Sequence, residues 1–178
     1  MSILKLLYFP NKKLRNIAKP IQHIDNNIKI LGQNMLETMY YYKGIGLAAT
    51  QIGINKRIIV IDITEKKNNP IILINPKIIK IDKLKINSKE GCLSIPIKQK
   101  YFILRYNKIK IKAKNLKNDI IELEINNLLS FCIQHEIDHL NGILFIDYLS
   151  NLKYQRIYDK INKINHKIFF LKKQNYIK

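Results

Sequence analysis

The sequence predicts an α+β fold. Two long stretches with helical periodicity flank a run of short β-rich segments. The strands follow one another without intervening helices, which excludes an alternating βαβ pattern. A third amphipathic stretch closes the chain. At 178 residues, with 47% hydrophobic and 25% charged, the chain is read as one domain spanning residues 1–178. About 152–178 form a basic C-terminal helix.

The elements are justified in order. Residues 25–43 read as the first helix, with Asp25 as its cap and Ile28, Leu31, Met35, Met39 and Tyr42 at helical spacing. Gly44 stands where a left-handed stop is expected. Strands are predicted at 57–63, 71–76, 77–86, 101–105, 108–114 and 119–125. Pro76 separates the second from the third. Residues 108–114 (KIKIKAK) alternate lysine with apolar residues, as a half-buried strand does. Asn118-Asp119 supplies a turn before the last strand. A second helix is predicted from Asn127 to Asn141, stopped by Gly142, and then a strand-like segment at 144–150. The third helix, 152–172, carries Ile157, Ile161, Ile164 and Ile168 along one face.

Composition narrows the setting. No apolar run approaches the ~18 residues of a membrane span. The opening residues lack the apolar core and cleavage site of a signal peptide. Two cysteines, Cys92 and Cys132, are too few for a disulfide framework, so a reducing, cytoplasmic setting is expected. The formal net charge is +19. One reading is a polyanionic partner, nucleic acid or a membrane surface. The other is codon drift: only Arg15, Arg57, Arg105 and Arg156 among the 32 basic residues are arginine, and Ile, Lys and Asn make up roughly half the chain.

The chemistry concentrates on the second helix. In Gln134-His135-Glu136-Ile137-Asp138-His139 the two histidines are four residues apart, so both rings can reach one metal ion. Glu136 can then act as general base on a metal-activated water. The bland reading is a polar helix face. His23 and His166 lack such a setting. A catalytic site of this kind needs a third protein ligand and an open position. Residues 90–96 (EGCLSIP) offer Cys92, and a His₂Cys set would result. Cys132 lies one turn before His135 and reads as core. The segment 44–51 (GIGLAATQ) is small and apolar, with glycines that let backbone approach backbone. It lacks the lysine and spacing of a phosphate loop.

These three segments, in this order and at these intervals, resemble the signature motifs of the peptide deformylases. The likeness extends to residues 36–40, 57–63, 73–76 and 144–150 and covers nearly the whole chain. It implies mostly antiparallel sheets packed around a central HExxH helix. It also implies hydrolysis of the N-formyl group from the initiator methionine of nascent chains, with release of formate. By the same resemblance Cys92, His135 and His139 are the metal ligands and Glu136 is the acid/base. Gln51 and the Leu93 N–H form the oxyanion site. The implied cofactor is one divalent ion, Fe²⁺ natively, with Zn²⁺ also found.

The methionine pocket is expected where Leu128, Phe131, Cys132 and His135 share a helix face, closed by Ile45. The substrate backbone is expected to pair with the Gly44–Gly46 edge. Glu90 is expected either to accept from a ligand imidazole or to pair with Arg105, and Asp138 to do either as well. Relatives usually carry a smaller aliphatic at the position of Phe131, and residues 97–105 lack a proline expected before Arg105. In bacterial relatives the C-terminal helix is implicated in docking on the ribosome. Here residues 153–178 carry eight Lys or Arg against one acid, Asp159. A monomer is expected. The rival readings are an HExxH metallopeptidase and a basic ribosome- or RNA-binding protein with a structural metal.

Overall fold

Asp25 opens the first helix, α1 (Asn26–Tyr41), by accepting the Ile28 N–H at 2.9 Å. This satisfies one of the amides that a helix start leaves unpaired. The structure is a computed structural model that describes residues 2–175, with side chains described through residue 164. The left-handed residue that ends α1 is Lys43 (φ 57°), not Gly44 as the sequence suggests. Gly44 instead keeps space for a neighbour: a Cβ there would lie 2.7 Å from Leu93 Cδ1, and that side chain would have to move.

Five strands form one antiparallel sheet in the order β1 (Gly46–Ala48), β2 (Ile58–Ile61), β3 (Ile71–Ile81), β6 (Lys108–Lys114), β7 (Ile120–Asn126). A separate antiparallel pair joins β4 (Lys85–Glu90) and β5 (Tyr101–Tyr106). The predicted break at Pro76 does not occur, and the predicted 77–86 strand is the continuation of β3. The register shifts between Ile74 and Lys77, where Asn75 adopts φ 51°. That irregularity lets a residue without an N–H sit within a strand.

Around β2 the sheet is covered on both faces. Alternate residues of a strand point to opposite sides, and β2 is apolar throughout because both sides are filled. Ile59 and Ile61 pack with Leu73, Ile111, Ile133 and Ile137 under the second helix, α2 (Asn127–Leu140). Ile58 and Val60 pack with Met35, Leu36 and Met39 of α1. Each such side chain contributes about 2 kcal/mol by leaving water. β6 behaves as its alternation predicts: Ile109, Ile111 and Ala113 are buried and the lysines between them face outward.

Gly142 (φ 74°) ends α2 as predicted. Residues 144–150 are not a strand; Phe145–Tyr148 form a short 3₁₀ turn, its first amide capped by Asp147. The last helix, α3 (Asn151–Asn175), begins one residue earlier and ends later than expected. Ile157 and Ile161 are buried with Phe9, Leu14, Ile95, Ile103 and Phe145 in a third cluster. Ile168 lies outside the described side chains.

Candidate metal centre

β4 ends at Glu90, and the chain then makes a tight turn in which the Ile95 N–H donates to the Cys92 carbonyl at 3.1 Å. This holds Cys92 against α2, where His135 and His139 stand one turn apart. Cys92 Sγ lies 3.1 Å from His139 Nε2, which lies 3.2 Å from His135 Nε2. All three ligand atoms fall within 4.8 Å of one another. One thiol and two imidazole nitrogens converging this closely suit a single divalent ion of borderline softness. The fit is reinforced by Glu136, whose Oε2 is buried and makes no hydrogen bond among the described residues. Burial first, then the charges of Glu90 and Asp138, push its carboxyl up to about 7.

The His135 ring is oriented from behind, whereas His139 Nδ1 is buried and makes no hydrogen bond among the described residues. His135 Nδ1 meets Glu90 Oε2 at 2.8 Å. Arg105 donates from Nε and Nη2 to both Glu90 oxygens, at 2.7 and 3.0 Å, and from Nη1 to Asp138 at 2.6 Å. Burial alone would raise the Glu90 carboxyl, but hydrogen bonds to His135 and Arg105 hold it below the ordinary range. Burial alone would likewise lower Arg105; Glu90 and Asp138 outweigh it and raise it. Of the two contacts expected for each acid, Glu90 makes both, to His135 and to Arg105, and Asp138 makes the one to Arg105.

Gln51 is buried beside Cys92. Its Oε1 accepts the Ala48 N–H at 2.8 Å. A backbone N–H can only donate, so this contact fixes which end of the amide faces the metal centre. Nε2 then points to Ser94 Oγ at 3.2 Å and Cys92 Sγ at 3.5 Å. The Leu93 N–H makes no hydrogen bond among the described residues.

A cavity of about 330 Å³ opens onto these groups. Its walls include all the residues expected for the pocket: Gly44, Ile45 and Gly46 on one side, Leu128, Phe131 and Cys132 on the other. Cys132 is not brought into the ligand set. Its Sγ lies 3.6 Å from the Ile45 carbonyl, and burial pushes its thiol up. Cys92 converges with the two histidines and Cys132 does not, which separates the two cysteines by geometry.

Two residues escaped the reading of the sequence. Ser94 stands inside the EGCLSIP segment, so a signal existed, but its partner Gln51 is 43 residues away. Tyr148 donates its hydroxyl to Asp138 at 2.9 Å, and the Arg105 guanidinium lies 4.8 Å above its ring. No local pattern marks it.

A largely apolar cavity beside a His₂Cys centre on an HExxH helix defines the class: a metal-dependent hydrolase. The family model for polypeptide deformylase matches residues 3–155. A peptide deformylase of Buchnera aphidicola subsp. Schizaphis graminum is 52% identical over 168 residues, 94% of this chain and 99% of the relative. One from Wigglesworthia glossinidia brevipalpis is 56% identical over 154 residues, 86% and 99% of the two chains. Among solved structures, the Legionella pneumophila peptide deformylase superposes with a TM-score of 0.85 at 40% identity, covering 93% of this chain and 98% of that one. The Ehrlichia chaffeensis enzyme in complex with actinonin gives 0.87 at 36% identity, covering 92% and 98%. The chain belongs to the polypeptide deformylase family, and it is an enzyme.

Proposed function

We propose that this chain removes the formyl group from formyl-methionyl nascent peptides at the Cys92–His135–His139 centre. In this reading it is a single catalytic domain acting as a monomer in the cytoplasm. Among the described residues no helix is long and apolar enough to cross a membrane. The observation that carries the reading is the convergence of Cys92, His135 and His139 beside the buried, unpaired carboxylate of Glu136.

When bound, the ion, taken as Fe²⁺ with Zn²⁺ as a working substitute, supplies Lewis acidity and brings a water toward neutral pKa. The residues do the rest. Glu136 accepts the proton of the attacking water and returns it to the departing amine nitrogen, a role suited to a carboxyl near 7. The Gln51 Nε2–H and the Leu93 N–H hold the formyl oxygen as it gains charge, each donor worth about 3 kcal/mol. The methionine side chain enters between Leu128, Phe131, Cys132 and Ile45. β1 is an edge strand of the sheet, so its side away from β2 offers backbone groups to an extended peptide.

A metallopeptidase would need a third His or Glu ligand and would have no use for Cys92. A structural site would need four ligands, and the group found among the described residues has three. The test is formate release from formyl-Met-Ala-Ser with metal content measured in parallel. Wild type should release formate. Glu136→Gln should retain metal and fold but lose several orders of magnitude in turnover. Cys92→Ser should lose metal far more than Cys132→Ser. Near-normal turnover by the Gln variant removes Glu136 from the mechanism.

A further inference from the structure

Three lysines surround the mouth of the cavity: Lys43, Lys89 and Lys100. All are exposed, and they come from three separate segments. Lys43 is fixed by its left-handed backbone immediately before the glycine edge. Lys89 is on the outward face of β4, one residue before Glu90. The Lys100 stem lies over Gly91: its Cγ and Cε are 3.6 and 4.0 Å from where a Cβ of Gly91 would stand.

None of the three has an ion-pair partner among the described residues. The cavity walls hold two carboxylates, Glu90 and Glu136. Glu90 is committed to Arg105 and His135. Glu136 is 3% exposed, at the inner end. The mouth is therefore positive and uncompensated, while the floor is not.

We propose that this mouth selects formyl-methionyl peptides that carry acidic side chains in the residues after methionine. The proposal rests on the cavity being the formyl-methionine site. With methionine in the pocket, the rest of the peptide leaves through the mouth, between the glycine edge and β4. An extended chain turns successive side chains to opposite sides, and lysines stand on both. A cleft lined by one sign of charge concentrates ligands of the other sign and speeds their encounter. Exposed pairs are individually weak and screened by salt. The expected discrimination is therefore about threefold to tenfold in kcat/KM, carried by KM.

The test compares formyl-Met-Glu-Glu, formyl-Met-Ala-Ser and formyl-Met-Lys-Lys at low and high salt. Wild type should rank them acidic, neutral, basic at low salt, and the ranking should flatten at high salt. K43Q/K89Q/K100Q should bring the acidic-to-basic ratio close to one. K77Q/K80Q/K112Q removes the same charge from the outer face of β3 and β6, where none of the three lines the cavity, and should keep the wild-type ratio. Equal rates on the three peptides at low salt overturn the proposal. So does an equal loss of preference in the distal variant, which would assign the effect to net charge alone. If wild type released no formate even from the neutral peptide, the catalytic reading would fall and this proposal with it.

Discussion

At Gly46 a Cβ would collide with Glu136 Oε1 and fall 2.8 Å from Cys132 Sγ. Its backbone thus forms a wall against Glu136, and a side chain there would displace it. Gly46→Ala must displace Glu136, because the glycine is in a paired strand and cannot yield easily. Deformylation should fall by about a hundredfold or more, with a stability loss of about 1–3 kcal/mol from overpacking. Turnover and chemical denaturation of the same samples check both. Ser94→Ala should act in the opposite way, by loosening. Ala48 keeps the Gln51 amide facing inward, but one of its N–H groups loses its acceptor, at a cost of about 1–3 kcal/mol. Turnover should drop by about tenfold. Unchanged turnover in this variant would show that Ala48 alone orients the amide. The glycines, Cys92 and the histidines were legible in the sequence because each stands in a short motif with its own spacing. Ser94 and Tyr148 were not, because their roles exist only once remote segments meet.

The elements that deliver these residues are held by contacts of the same remote kind. β2 is followed at once by Asp62, which accepts from the Tyr40 hydroxyl at 2.8 Å, the Thr64 hydroxyl and N–H at 2.6 and 2.9 Å, and the Asn69 N–H at 3.3 Å. Its own N–H donates to the Ile45 carbonyl at 3.0 Å. The Asp62 carboxylate thereby ties the end of α1 to the loop after β2, and its backbone N–H holds the glycine edge. Burial would raise the Asp62 carboxyl, but these bonds outweigh it and hold it below the usual range. The Tyr40 hydroxyl is pushed up to about 12, by burial and then by Asp62. The folded state therefore binds its proton later than the unfolded chain as pH falls. The stabilisation is fully present above the ordinary carboxylate pKa and is lost as pH drops through the folded one. Melting temperatures should decline toward low pH more steeply in wild type than in Asp62→Asn. Parallel curves would mean the network is not what acid breaks. From sequence, the strand around Asp62 was legible by its apolar run, but its clamp was not: Tyr40 is 22 residues away. The same distance problem hid the run of β3 through Pro76, since Asn75 is held by hydrogen bonds to Ile21, 54 residues away.

For the whole molecule the open matter is charge. Lysine is abundant everywhere, so net +19 by itself does not distinguish drift from a polyanionic partner. α3 does allow the two to be separated. Its first turns are a brace: Ile157 and Ile161 are 2% and 0% exposed, and Tyr154 and Tyr158 meet the Phe9 ring edge-on at 6.0 and 5.9 Å. Cutting the chain at Leu152 would strip these residues from the core and unsettle Ile95, three residues past Cys92. A later cut leaves the described part of this brace in place. Deleting residues 165–178 spares both buried isoleucines and removes Lys167, Lys172, Lys173 and Lys178. If the helix docks on ribosomal RNA, each lost phosphate contact reduces the slope of log affinity against log salt by about 0.7–0.9. The truncated enzyme should keep its melting temperature and its rate on formyl-Met-Ala-Ser. Its ribosome affinity at low salt should weaken about tenfold or more, and the salt slope should become shallower. Tethering near emerging chains raises the local concentration of formylated ends, so deformylation of ribosome-bound chains should slow more than that of free peptide. Unaltered affinity and slope in the truncated enzyme would assign the basic tail to drift and leave α3 only its structural role.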